Sequence, residues 1–163
     1  MRAKHVLPSL VVLLLVLSAG PLAAQTGRIP GEWRRLGPDG GELFDLAVAP
    51  GDPNVVYARS QTVYRSRNGG ATWALMNGDK YLYQVSVDAV NPSLVYGAAG
   101  EAFRSLDGGA TWEPLENPGP GAGILQLAAH PRIANTVFAA TDEGLFRSAD
   151  AGLHWKAVRG GLP

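Results

Sequence analysis

An all-β chain assembled from a repeated four-stranded unit is the fold that the sequence predicts, on three observations. First, an eight-residue stretch is written three times: SRNGGATW at 66–73, SLDGGATW at 105–112 and SADAGLHW at 148–155. Its serines, Ser66, Ser105 and Ser148, lie 39 and 43 residues apart, and Trp33, Trp73, Trp112 and Trp155 carry the same period one unit further back. Second, each period holds four short apolar segments separated by turn residues. Third, beyond the N-terminal segment no stretch sustains a 3.6-residue hydrophobic period, and glycine or proline interrupts the chain about every dozen residues. Four strands in about 40 residues, repeated, is the arithmetic of a β-propeller blade.

The chain does not begin with that unit. Arg2 and Lys4 form a short basic start, Val6 to Leu17 is almost wholly apolar, and small residues follow from Ala19 to Gln25. That order is the pattern of a secretory signal peptide, here residues 1–24 with cleavage expected after Ala24. The apolar run is shorter than the ~20 residues of a spanning helix, so no stable membrane span is expected after cleavage, and the protein is expected to be secreted or periplasmic. No cysteine occurs, which excludes a lipidated cysteine, disulfides and thiolate metal sites. The formal net charge is zero, and losing Arg2 and Lys4 tips it slightly negative. Neither nucleic acid nor an anionic surface is expected as a partner. Residues 25–163 are long enough to bury roughly two-thirds of their unfolded surface.

The strands follow in order. EWRRL at 32–36 stands alone before the first full unit. The units run approximately over 43–76, 82–115 and 124–158. Their first segments, LFDLAVA (43–49), LYQVSVD (82–88) and ILQLAA (124–129), alternate in the period-two pattern of half-buried strands. A proline-bearing turn comes next: PGDPN (50–54), NPS (91–93) and HPRIAN (130–135). The second strands carry Val56-Tyr57, Val95-Tyr96 and Val137-Phe138. The third end at Tyr64-Arg65, Phe103-Arg104 and Phe146-Arg147, and the fourth begin at the tryptophans. An Asp followed by two Gly supplies what a tight hairpin needs, an acceptor for turn N–H groups and residues that take positive φ. In the first copy Asn68 replaces the aspartate and keeps the acceptor. In the third, Ala151 stands for a glycine and His154 for a threonine, which predicts a less regular turn. Trp112 is expected to bury its ring at the blade edge and to find a partner for its N–H.

On these residues the chain resembles Asp-box propellers, whose motif is Ser/Thr-x-Asp-x-Gly-x-x-Trp. Similar members include sortilin-type receptors, photosystem II assembly-factor propellers and xyloglucan-active glycoside hydrolases. The resemblance implies a frame role for Ser66, Asn68, Gly70 and Trp73, for Ser105, Asp107, Gly109 and Trp112, and for Ser148, Asp150, Gly152 and Trp155. It also implies that the motif lies at the rim, away from the binding face. Three units fall short of the four to eight blades of typical rings. A partial propeller of three blades is therefore expected, as a fragment or the start of a longer chain; the alternative is that two copies assemble a six-bladed ring, since open strand edges invite self-association.

The resemblance places working residues where inter-blade loops and inner hairpins converge. The candidate binding face comprises Arg59, Gln61, Asp79, Lys80, Tyr81, Glu101, Asp142 and Glu143, with Asp39 also in a converging loop. Asp45, Gln84 and Gln126, equivalent on the first strands, are candidates to line the channel. Arg65, Arg104 and Arg147 recur at one blade position and are expected to pair with rim acids or stack on tryptophan. Arg28-Ile29-Pro30 resembles a sialidase element, but no arginine triad or tyrosine nucleophile can be assigned beside it. Residues 57–66 resemble a segment of the xyloglucan-active hydrolases, with Ser60 and Gln61 where those carry an aspartate. Glycoside hydrolysis requires two carboxylates across the bond, ~5–10 Å apart, and Asp142 has no mate identifiable in the sequence. His5, His130 and His154 show no metal spacing, so neither metal nor cofactor is expected. The reading is an exported, non-catalytic binding or assembly module for a protein or glycan. The alternative is the N-terminal part of a secreted glycoside hydrolase.

Overall fold

A computed structural model describes residues 35–38, 42–76 and 80–159. The expected signal peptide over residues 1–24, Arg28-Ile29-Pro30, Asp39, Asp79 and the first three residues of the lone segment at 32–36 lie outside the described residues. Twelve strands form three four-stranded sheets: β1 (Asp45–Val48), β2 (Val56–Arg59), β3 (Val63–Ser66) and β4 (Ala74–Met76); β5 (Gln84–Val87), β6 (Val95–Ala98), β7 (Ala102–Ser105) and β8 (Glu113–Pro114); β9 (Ile124–Ala129), β10 (Val137–Thr141), β11 (Gly144–Ser148) and β12 (Lys156–Ala157). Each sheet is an antiparallel meander in chain order. Among the described residues there is no helix. The register repeats with the sequence: Asp45 pairs with Arg59, Gln84 with Ala98 and Gln126 with Ala140. In the third sheet a bulge follows Ala140.

The sheets pack face to face, and the core lies in their seams. Between the first and second sheets are Tyr57, Val63, Met76, Leu82, Val85, Val87 and Phe103, and between the second and third Tyr96, Ile124, Leu127, Val137 and Ala139. Strand β1 lies against β5, and both β5 and β6 lie against β9, so the first strand of each later unit meets the inner strands of the unit before it. Such burial stabilises by about 1.5–3 kcal/mol for each large apolar side chain. Close approach needs small residues. A Cβ on Gly97 would stand 2.6 Å from Leu82 Cδ1 and 2.9 Å from Trp112 Cζ3, distances that packed carbon atoms do not tolerate.

Three hairpins of one geometry join the third and fourth strands. In the second, Ser105 Oγ donates to Asp107 Oδ1 at 2.7 Å and accepts the Gly109 N–H at 2.7 Å. Asp107 Oδ1 accepts the N–H groups of Ala110 and Thr111 at 2.9 Å, and its Oδ2 accepts the Thr111 hydroxyl at 2.7 Å. In the first, Asn68 Oδ1 accepts from Ser66 Oγ and the Thr72 N–H, while Asn68 Nδ2 donates to Thr72 Oγ1. The third turn is as regular as its siblings. Ser148 donates to Asp150, Gly152 N–H donates to Ser148, and His154 Nδ1 lies 2.6 Å from Asp150 Oδ2, where threonine stands elsewhere. The irregularity expected there becomes local strain instead: Ala151 takes φ 60°, where Gly69 and Gly108 take 65° and 74°.

These turns also tie the sheets together. Arg65 Nη1 donates to the carbonyls of Asp107 and Gly108 at 3.1 and 3.0 Å, and Arg104 Nη1 to that of Ala151 at 3.2 Å. Arg104 Nε also pairs with Glu113 on its own sheet. Each arginine therefore reaches forward into the turn of the following blade, a role beyond the rim pairing expected of it. Trp73 Nε1 donates to the Leu36 carbonyl at 2.8 Å and Trp155 Nε1 to that of Glu116 at 3.0 Å, in both cases an earlier unit's outer segment.

Candidate functional site

The strand connections sort to two ends of the sheets. At one end the repeated hairpins meet the proline turns of their own sheets: Gly69 N–H bonds to the Asn54 carbonyl, Gly108 to Ser93 and Ala151 to Asn135. That end is filled with frame contacts. Asp107 and Asp150 sit there among donors. Desolvation pushes the Asp107 carboxyl up, but hydrogen bonds from Thr111, Ser105 and Ala110 outweigh it and hold its pKa at about 2. Asp150 is likewise held low, by the His154 amide and ring and by Ser148. A carboxylate kept ionised by its own turn is not poised for proton transfer near neutral pH.

The opposite end carries the β2–β3, β6–β7 and β10–β11 hairpins together with the segments that lead into β5 and β9. Here three residues from separate segments converge. The Arg59 guanidinium lies 4.7 Å from the Phe44 ring centroid and 6.0 Å from that of Tyr81. Arg59 is 6% exposed, whereas Phe44 and Tyr81 are 57% and 66% exposed. Arg59 Nη1 donates to the Ser60 carbonyl at 2.7 Å, and its Nε is buried without a partner. Beside them Lys80 Nζ lies 5.1 Å from the ring centroid of the buried Phe103. Two outward aromatic faces on a buried cation form an amphipathic platform.

The remaining candidates are spread along the same end. Gln61, Glu101, Asp142 and Glu143 are exposed at hairpin tips. Asp142 Oδ1 accepts the Gly123 N–H at 2.9 Å, and Glu143 lies beside Gly119, so both carboxylates face the loop entering β9. Arg59, Tyr81 and Lys80 come together; Asp142 and Glu143 form a separate group on the third sheet. Asp79 lies outside the described residues. Among the described residues no group of three His, Asp or Glu could hold a metal ion.

Of the first-strand polar residues, Asp45 and Gln84 bond to the neighbouring blade, whereas Gln126 is exposed. Asp45 Oδ2 accepts the Val85 N–H at 2.7 Å. Gln84 brackets Leu127, accepting its N–H at 3.0 Å and donating to its carbonyl at 2.7 Å, and Ser86 Oγ accepts the Ala129 N–H at 2.9 Å. They stitch the first blade to the second and the second to the third, because alternation on an inner strand turns one face back and the other forward. Phe44 escaped the sequence reading. Its place in an apolar run reads as core, and nothing local shows that it stands beside Arg59.

No family model matches the chain, and no curated protein matches it. Solved structures do. The chain is similar to the GH74 xyloglucanase from Xanthomonas campestris at 22% identity and TM-score 0.55, over 69% of this chain and 18% of that one. It is similar to YCF48 from Cyanidioschyzon merolae at 26% identity and TM-score 0.55, over 71% of this chain and 36% of that one. A structure of YCF48 bound to D1 peptide matches at 21% identity and TM-score 0.53, over 71% of this chain and 40% of that one. The chain thus spans well under half the length of these matches. With three meandering sheets joined through their first strands, it is an all-β partial propeller of three four-stranded blades.

Proposed function

We propose that this chain is a non-catalytic binding or assembly module of the Asp-box type, exported by its leader, and that it takes a protein segment on the hairpin end of its blades. The observation that carries this reading is the Phe44–Arg59–Tyr81 platform. Exposed aromatic rings held rigid by a buried cation suit an extended chain, offering large apolar contact at low entropic cost. YCF48, a neighbour by fold, is a protein that has been solved with a bound peptide, which is compatible with such a role. The three Ser-x-Asp/Asn-x-Gly turns fit the Asp-box pattern and act as frame.

Peptide and glycan arrays probed with the full chain test this directly. Binding to extended peptides is expected, weakened at least tenfold by Tyr81→Ala or Phe44→Ala, with the sheet content unchanged by circular dichroism. Binding that neither substitution alters would overturn the platform. A glycoside hydrolase is the second reading, favoured by the exposed Asp142 beside Glu143 and by the fold shared with GH74 enzymes. Sugar release from xyloglucan, abolished by Asp142→Ala, would establish it in place of the first.

A further inference from the structure

The two seams are built by one set of contacts, and the outer faces of the arc carry the two halves of a third. On the forward face of each sheet, Asp45 and Gln84 reach the first strand of the next sheet, and Arg65 and Arg104 reach its turn. Gln126 and Arg147 hold the same register positions on the third sheet, and both are exposed. On the backward face, Val85 and Val87 are 2% and 4% exposed against the first sheet. Leu46 and Val48 hold those positions on β1 and are 63% and 49% exposed. The forward face of the third blade thus offers the donors that the backward face of the first is shaped to receive.

We infer that the third blade of one copy docks on the first blade of a second copy, head to tail, and repeats the internal seam. Gln126 would bracket Leu46 as Gln84 brackets Leu127. Arg147 would reach the carbonyls of Asn68 and Gly69 as Arg65 reaches those of Asp107 and Gly108. Leu46 and Val48 would be covered. The three described blades taken twice, with two such junctions, make six, within the four to eight of typical rings, whereas three copies would exceed it.

One segment of the chain contests this junction. Leu36 packs on Gly70, as Met76 packs on Gly109 and Leu115 on Gly152. By the repeat, Val158 of an incoming copy takes the same place. Only one of these short outer segments can occupy it, so docking lifts Leu36 from Gly70 and Trp73.

Sedimentation of the full chain over a concentration range tests the inference. A two-copy species is expected, weakened at least tenfold by Arg147→Glu and by Leu46→Lys. Leu36→Gly is expected to strengthen it, because it loosens the competing segment. The decisive arm mixes the two weakened variants. A head-to-tail pair of Arg147→Glu with Leu46→Lys retains one wild-type junction, so the mixture should recover pairs at concentrations where neither variant forms them alone. A single copy at all concentrations would overturn the proposal, whether the faces stay bare or take other partners. So would association that neither substitution weakens, as an apolar leader would drive, or a mixture that recovers nothing although both variants keep their sheet signal.

Discussion

Arg65 of the first blade donates from Nη1 to the main-chain carbonyl of Gly108 in the second, 3.0 Å away. The guanidinium lies against a residue without a side chain: a Cβ on Gly108 would meet Arg65 Nη1 at 1.9 Å. Gly108→Ala is expected to cost about 2.5–5 kcal/mol, combining a charged hydrogen bond of about 1.5–3 kcal/mol with about 1–2 kcal/mol for φ +74°. In an Arg65→Ala background the same change should cost only the backbone part. Denaturant titration of the four variants, as a double-mutant cycle, measures the difference.

Asn68 shows which property of Asp107 the turn uses. Both side chains accept an N–H four residues ahead, at 2.8 and 2.9 Å, and both engage the threonine hydroxyl there. Asp107→Asn should therefore be nearly neutral at pH 7, whereas Asp107→Ala should cost about 1–3 kcal/mol for the donors it orphans.

The same residue makes stability pH-dependent. Its folded pKa, about 2, lies below the ordinary 3.8, so the folded state favours the ionised form. Its contribution is present above pH 3.8 and is lost as pH falls through about 2. Melting curves from pH 5 to pH 2 should fall less steeply for Asp107→Asn than for the parent chain.

Two tyrosines at one blade position should respond oppositely to loss of the hydroxyl. Tyr57 donates to the Pro92 carbonyl at 2.9 Å, so Tyr57→Phe should cost about 1 kcal/mol. The Tyr96 hydroxyl is buried without a partner, and burial pushes its pKa up. Tyr96→Phe should be neutral or stabilising, and the third blade already carries Phe138 there. Equal losses of melting temperature would contradict this.

Ala151 tests the strain in the third turn. At φ 60° an alanine carries a penalty of about 1–2 kcal/mol, offset on change to glycine by about 0.4–1 kcal/mol of unfolded-chain entropy. Ala151→Gly should raise the melting temperature slightly, and a fall would contradict the assignment.

The blades were legible in the sequence because turn chemistry is local. Ser105, Asp107 and Gly109 lie within five positions and bond one another, so their spacing carries the hairpin. What the sequence hid depends on distant segments. Asp45 and Gln84 look like channel residues until the blades are stacked, and Arg59 looks solvated until Phe44 and Tyr81 close over it. Ala151 marked the third turn correctly as unusual, but composition could not show that the backbone would keep its shape and take the strain in one dihedral.

Because every seam joins only adjacent sheets, the three blades are unequally held. Within a single unassociated copy, the middle of the three described blades is clamped on both faces and each outer one on a single face. Fraying should then begin at the two ends, and amide protons in β5, β6 and β7 should exchange with solvent most slowly. A residue's blade number, and not only its place within the repeat, sets how long its hydrogen bonds last.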